Sequence, residues 1–154
     1  MNDTGRLNMI RNLLRRKGTI SIIVDGPNLL RKVGNQQIKL DDIDKYASQL
    51  GNLGEKYVLL NRHASEALIQ AVINSGYTPI VATDDVHTQM AILAMELVHR
   101  NAGDIILLGS RDAKCTPILM KLKEKGIKTA ILGFDPGFSV SLKNVADFTI
   151  DISK

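Results

Sequence analysis

From Thr19 onward the chain alternates short apolar runs, rich in β-branched residues, with longer segments of helical periodicity, and this alternation limits its fold more than any other feature. Strands are expected at 19–24 (TISIIV), near 56–61, at 77–82, at 104–109 and at 127–132, with a last short one at 147–152. Helices are expected near 41–50, at 64–75 before Gly76, at about 85–101, and at 117–125 before Gly126. A run such as TISIIV has no polar face, so it belongs in a sheet covered on both sides. Strands and helices in strict alternation with short links make βαβ units, which places the chain in the α/β class with a mostly parallel sheet. With 154 residues the chain suits one core better than two.

An amphipathic pattern precedes the first strand. Leu7, Ile10, Leu13 and Leu14 recur at helical spacing in RLNMIRNLLRRK, so residues 1–18 read as a basic helix and 19–154 as the α/β domain. Arg11, Arg15, Arg16 and Lys17 on that helix suit either a docked surface or a nucleic-acid or partner contact. Lys and Arg outnumber Asp and Glu by 20 to 16, a balance that permits RNA binding without requiring it. With three Phe, three Tyr and no Trp there is little to stack on bases, so contact with nucleic acid is expected through phosphates. No apolar run reaches the roughly 20 residues of a membrane span. The single cysteine, Cys115, excludes an internal disulfide framework and fits a cytoplasmic setting; with no histidine near it in sequence, a reactive role is not expected.

In a parallel sheet ligands collect beyond the carboxyl ends of the strands. After the first strand stands DGPN, where Asp25 has two open readings, metal ligation or turn capping. After the third stands TDDVH: Asp84 is expected to cap the following helix, Asp85 suits the positive end of its dipole, and His87 can face the same cleft as Asp25. After the fourth, GSRDAKC places Ser110, Arg111, Asp112 and Lys114 in one loop. Pro117 suits a first helical position with Thr116 as its cap, which leaves Asp112 free for the cleft. Asp25, Asp85 and Asp112 would then meet at one sheet edge. Carboxylates so close repel, which implies either a hard cation such as Mg²⁺ or Mn²⁺ between them or raised pKa values. Asp147 is either a further cleft acid or a loop acid before the last strand. No Gly-rich phosphate loop is present.

The stretches VDGPN, AMELVHRNAGDIILLGSRD and GFDPGFSVSLKNVADF resemble the NYN group of PIN-like nuclease domains, especially small archaeal members, over about residues 19–152. The resemblance implies a three-layer PIN-like, Rossmann-like fold and metal-dependent cleavage of RNA by acids at the carboxyl edge. It implies catalytic roles for Asp25, Asn28 and Asp112, and a metal set drawn from Asp25, Asp112, Asp85 and His87. Arg111 and Lys114 join the N-terminal basic residues as expected RNA contacts. Where the family carries two further acids this chain has His87 and Lys114. An ammonium beside two carboxylates competes with a cation. The sequence therefore frames two alternatives: a Mg²⁺- or Mn²⁺-dependent ribonuclease with a partly degraded acidic site whose metal is weakened or lost, and a non-catalytic module that holds RNA or a protein partner. The oligomeric state is open.

Overall fold

The computed structural model describes residues 3–7 and 18–153. Residues 3–7 are helical, while Arg11, Arg15, Arg16 and Lys17 of the expected basic helix lie outside the described residues. The domain then runs β1 (Thr19–Asp25), α1 (Gly26–Leu29), α2 (Leu40–Ala47), β2 (Asn52–Asn61), α3 (Glu66–Asn74), β3 (Thr78–Ala82), α4 (Val86–His99) and β4 (Ile105–Gly109). A 3₁₀ turn (Ala113–Cys115), α5 (Thr116–Glu124), β5 (Lys128–Gly133), α6 (Val140–Val145) and β6 (Phe148–Asp151) complete it. All neighbouring strands pair in parallel, in the order β3-β2-β1-β4-β5-β6.

The central strands are apolar on both faces because both faces are covered. Ile22 and Val24 of β1 pack with Leu40, Ile43 and Ala47 of α2 on one side. Ile23, pointing the other way as strand geometry requires, packs with Met90, Leu93 and Leu97 of α4 and Leu119 of α5. Truncating such a fully buried Ile to Ala costs about 2–5 kcal/mol. The edge strands β3 and β6 are only partly covered, and their sequences are correspondingly more polar. Among the described residues no helix is long and apolar enough to cross a membrane.

Two features depart from expectation, and one open reading is settled. β2 starts at Asn52, four residues before the expected 56, because the Asn52 amide donates to Gly18 O at 2.9 Å and Asn52 pairs with Thr19. Its first residues are exposed, so no hydrophobic signal marks them. The short α1 and α6 were not expected, since four and six residues are too few to show a period. Asp147 is resolved as the loop acid. Its Oδ2 accepts from the Thr129 amide at 2.9 Å and the Thr129 hydroxyl at 3.1 Å, at the start of β5 and so at the sheet edge opposite the cleft.

Candidate functional site

The strand order reverses direction between β1 and β4, and in doubly wound sheets the crevice outside the carboxyl ends at such a switch point is where ligands bind. A cleft of about 470 Å³ lies there, with Asp25, Asn28, His87 and Asp112 in its wall. Gly26 makes the turn out of β1 possible. A Cβ there would stand 2.4 Å from the Leu59 carbonyl oxygen, so only glycine lets the chain cross β2 at once.

Asp25 is 1% exposed and makes no cap bond to the helix that follows it, which removes the capping reading. Its Oδ2 instead accepts from Ser110 Oγ and from His87 Nε2, each at 2.9 Å. A carboxylate only accepts, so Nε2 carries the proton in this contact. Asp112 approaches the same nitrogen, with Oδ2 3.7 Å from Nε2, while its Oδ1 accepts from the Lys114 amide at 2.9 Å. Asp112 therefore caps the 3₁₀ turn and faces the cleft together. Asn28 Oδ1 accepts from the Arg111 amide at 2.7 Å, which turns the Asn28 NH₂ group to serve as a donor.

Five expectations are corrected. The cap of α4 is Asp85, not Asp84: its carboxylate accepts from the His87 and Thr88 amides at 3.3 and 3.2 Å and from the Thr88 hydroxyl at 2.7 Å. Thr88, three residues on, supplies the hydroxyl that completes this cap. These bonds, the Thr88 hydroxyl first, hold the Asp85 pKa below the usual carboxylate value. Asp85 does not join a carboxylate trio; it comes closest to the far side of the His87 ring, 3.8 Å from Nδ1. Thr116 is not a cap but the first residue of α5, and its hydroxyl meets Ser141 Oγ at 2.9 Å.

Arg111 is not an open phosphate contact. It is 5% exposed, its guanidinium lies 4.7 Å over the Phe134 ring, and it donates to Pro136 O and, at 3.2 Å, to Asn28 O. Burial, and then the charge of Arg31, pull its pKa down. Its work is structural, fastening the DPGF turn to the first-strand loop. Lys114 is exposed at the mouth of the cleft, and among the described residues no carboxylate lies within 4 Å of its ammonium. It does not neutralise Asp25 and Asp112 by direct pairing.

Sequence reasoning missed two residues. Arg31, exposed at the mouth of the cleft, follows DGPNLL by one position, and the RK pair there is its only signal. Cys115 is fully buried, and its sulfur lies within 4.8 Å of ligand atoms of both Asp25 and His87. Burial pushes its thiol up to about 12.

This chain matches the model of the NYN domain over residues 19–153. It belongs to the NYN domain family. An uncharacterized protein of Methanocaldococcus jannaschii is 43% identical over 142 residues, which cover 91% of this chain and 58% of that protein. The chain thus spans well under two thirds of the relative it matches. A crystal structure of a protein of unknown function from Vibrio parahaemolyticus superposes with a TM-score of 0.76 at 16% identity, covering 90% of this chain and 94% of that one. At that identity the likeness shows the fold alone, and the NYN domain here has the expected three-layer, PIN-like form.

A divalent cation, which such domains typically bind, fits the donor set. Asp25 is a buried carboxylate, and His87 and Cys115 offer further ligand atoms within 4.8 Å of it.

Proposed function

We propose that this NYN domain is a divalent-metal-dependent ribonuclease acting on single-stranded RNA in the cleft between β1 and β4. The observation that carries the reading is the convergence of Asp25, His87 and Asp112 from three separate strand ends, with both carboxylates within 3.7 Å of one imidazole nitrogen. Asp25 and Asp112 would hold Mg²⁺ or Mn²⁺, with His87 as a further donor. Such an ion polarises a phosphoryl oxygen and lowers the pKa of a bound water.

The chain's own residues set the rest. Ser110 orients Asp25 through its 2.9 Å bond, and the Arg111 amide orients Asn28 at 2.7 Å. The Asn28 NH₂ group donates to a phosphate oxygen or to the attacking water. Arg31 and Lys114 at the mouth draw the phosphate backbone in. Incubating the full chain with a labelled single-stranded RNA and Mn²⁺ should give cleavage that chelation stops and Asp25→Asn abolishes. Cleavage that survives Asp25→Asn would sink the assignment.

The direct bond between His87 and Asp25 supports a second reading. It satisfies the buried carboxylate without a cation, as a non-catalytic module that holds RNA or a protein would need. RNA retained by the natural chain and not cut in Mn²⁺ would favour that module.

A further inference from the structure

We infer that the cavity walled by residues 35–38, helix α2 and the residues just past β5 and β6 is a pocket for one guanine base of a bound RNA strand. The inference rests on the reading that the chain holds RNA, and it adds a base-selective site outside the cleft. The cavity is about 410 Å³, within the range of small-ligand sites. Buried Phe134 and Ile38 and the half-buried ring of Tyr46 form its apolar part, while Asp42 and Lys45, both exposed, form its charged rim. Phe134 directly follows β5, so the cavity shares the carboxyl edge of the sheet with the cleft. Arg31 at the cleft mouth and Asn35 in the cavity wall are four residues apart, at most about 14 Å of extended chain. Val33 and Gln36 exchange backbone bonds of 2.9 and 3.0 Å that hold the turn between them. A strand drawn into the cleft past Arg31 therefore offers a neighbouring nucleotide to the cavity.

The charged rim selects the base. Asp42 and Lys45 stand one turn apart on α2, the spacing at which opposite charges ordinarily pair. Among the described residues, however, neither has an ion-pair partner within 4 Å. Asp42 Oδ2 accepts from the Lys39 amide at 3.2 Å, which holds the carboxylate at the start of the helix and leaves Oδ1 open. An unstacked guanine presents two adjacent N–H donors, at N1 and at the 2-amino group, and two acceptors, O6 and N7. A carboxylate takes the donors and an ammonium the acceptors. Adenine and cytosine each offer a carboxylate one amino group, and uracil one ring N–H, so none of them meets both charges as fully. The Tyr46 ring gives the base an aromatic surface to lie against. A rim kept only for solubility would need no aromatic wall behind it.

The test measures binding of the full chain, in chelator so that no metal-dependent cleavage intervenes, to labelled octauridylate and to versions carrying one central G, A or C. The expected result is an affinity for the G oligomer about tenfold above the other three, the discrimination that one good pair of base contacts gives. Asp42→Asn keeps an oxygen for the Lys39 amide but sets an N–H donor against the guanine donors, so it should bring the G oligomer down to the level of the others. Lys45→Met should weaken G binding likewise. Equal affinity for all four oligomers, a preference for another base, or a G preference that survives Asp42→Asn would overturn the pocket. Cleavage of the same oligomers in Mn²⁺ separates this from the ribonuclease reading. Cleavage without any base preference removes the pocket and keeps the enzyme, whereas a G preference without cleavage keeps the pocket on a binding module. A chain that binds none of the oligomers would remove both. If circular dichroism shows that Asp42→Asn fails to fold, Lys45→Met decides, for or against.

Discussion

Asp25 is enclosed, yet its charge is met at two points, by the Ser110 hydroxyl and the His87 ring. A repelling trio of carboxylates would make Asp25→Asn neutral or stabilising. The observed bonds give the opposite sign. Hydrogen bonds to a charged group contribute about 1.5–3 kcal/mol and neutral ones about 0.5–1.5, so Asp25→Asn should lower stability by about 1–2 kcal/mol. Urea melts of the two proteins measure this, and a variant as stable as the parent would mean that neither bond matters. Asp25, Asn28 and Asp112 were legible because each stands in a motif at or just past the end of a strand. Cys115 was not, because it lies 90 positions from Asp25 and meets it only when β1 and β4 pair.

Helix α4 shows how one element can serve both stability and site. Asp85 caps it through bonds to two amides and the Thr88 hydroxyl, and the same turn aims His87 at Asp25. The folded-state pKa of Asp85 lies below its unfolded value. Its contribution to stability is therefore present above about pH 3.9, the unfolded value, and is lost as pH falls through the lower folded pKa. Asn also caps, so Asp85→Asn should fold nearly as well at pH 7 but show a flatter acid limb in thermal melts between pH 2 and 6. Asp85→Ala should be the weakest of the three at pH 7. If Ala matches Asn there, the side-chain cap contributes nothing. The sequence pointed to a capped helix at this place, but two adjacent aspartates left the register to the folded backbone.

For the molecule as a whole, a basic excess of 20 to 16 gives weak attraction for polyanions, and the cleft adds two exposed cations, Arg31 and Lys114, at its mouth. Binding of single-stranded RNA should weaken with salt, each phosphate contact adding about 0.7 to the slope of log K against log salt. Replacing Arg31 and Lys114 with Ala should weaken binding and reduce that slope by about 1.4, twice the single-contact value. Filter binding from low to moderate salt reads both quantities; an unchanged slope would place the RNA elsewhere on the surface. The sequence by itself determined the sheet and its layers, because apolar runs without a polar face can only be buried strands and the helical stripes between them must cover both sides. It also determined that Asp25, Asn28 and Asp112 share an edge, since every strand of a parallel sheet ends on the same side. Only the tertiary structure decided that Arg111 is a buried strut, that Lys114 stays in solvent, that Asp147 faces the opposite edge, and that the Cys115 sulfur comes within 4.8 Å of Asp25 and His87. Those outcomes depend on which strands pair and how far each side chain reaches, and neither is a local property of the chain.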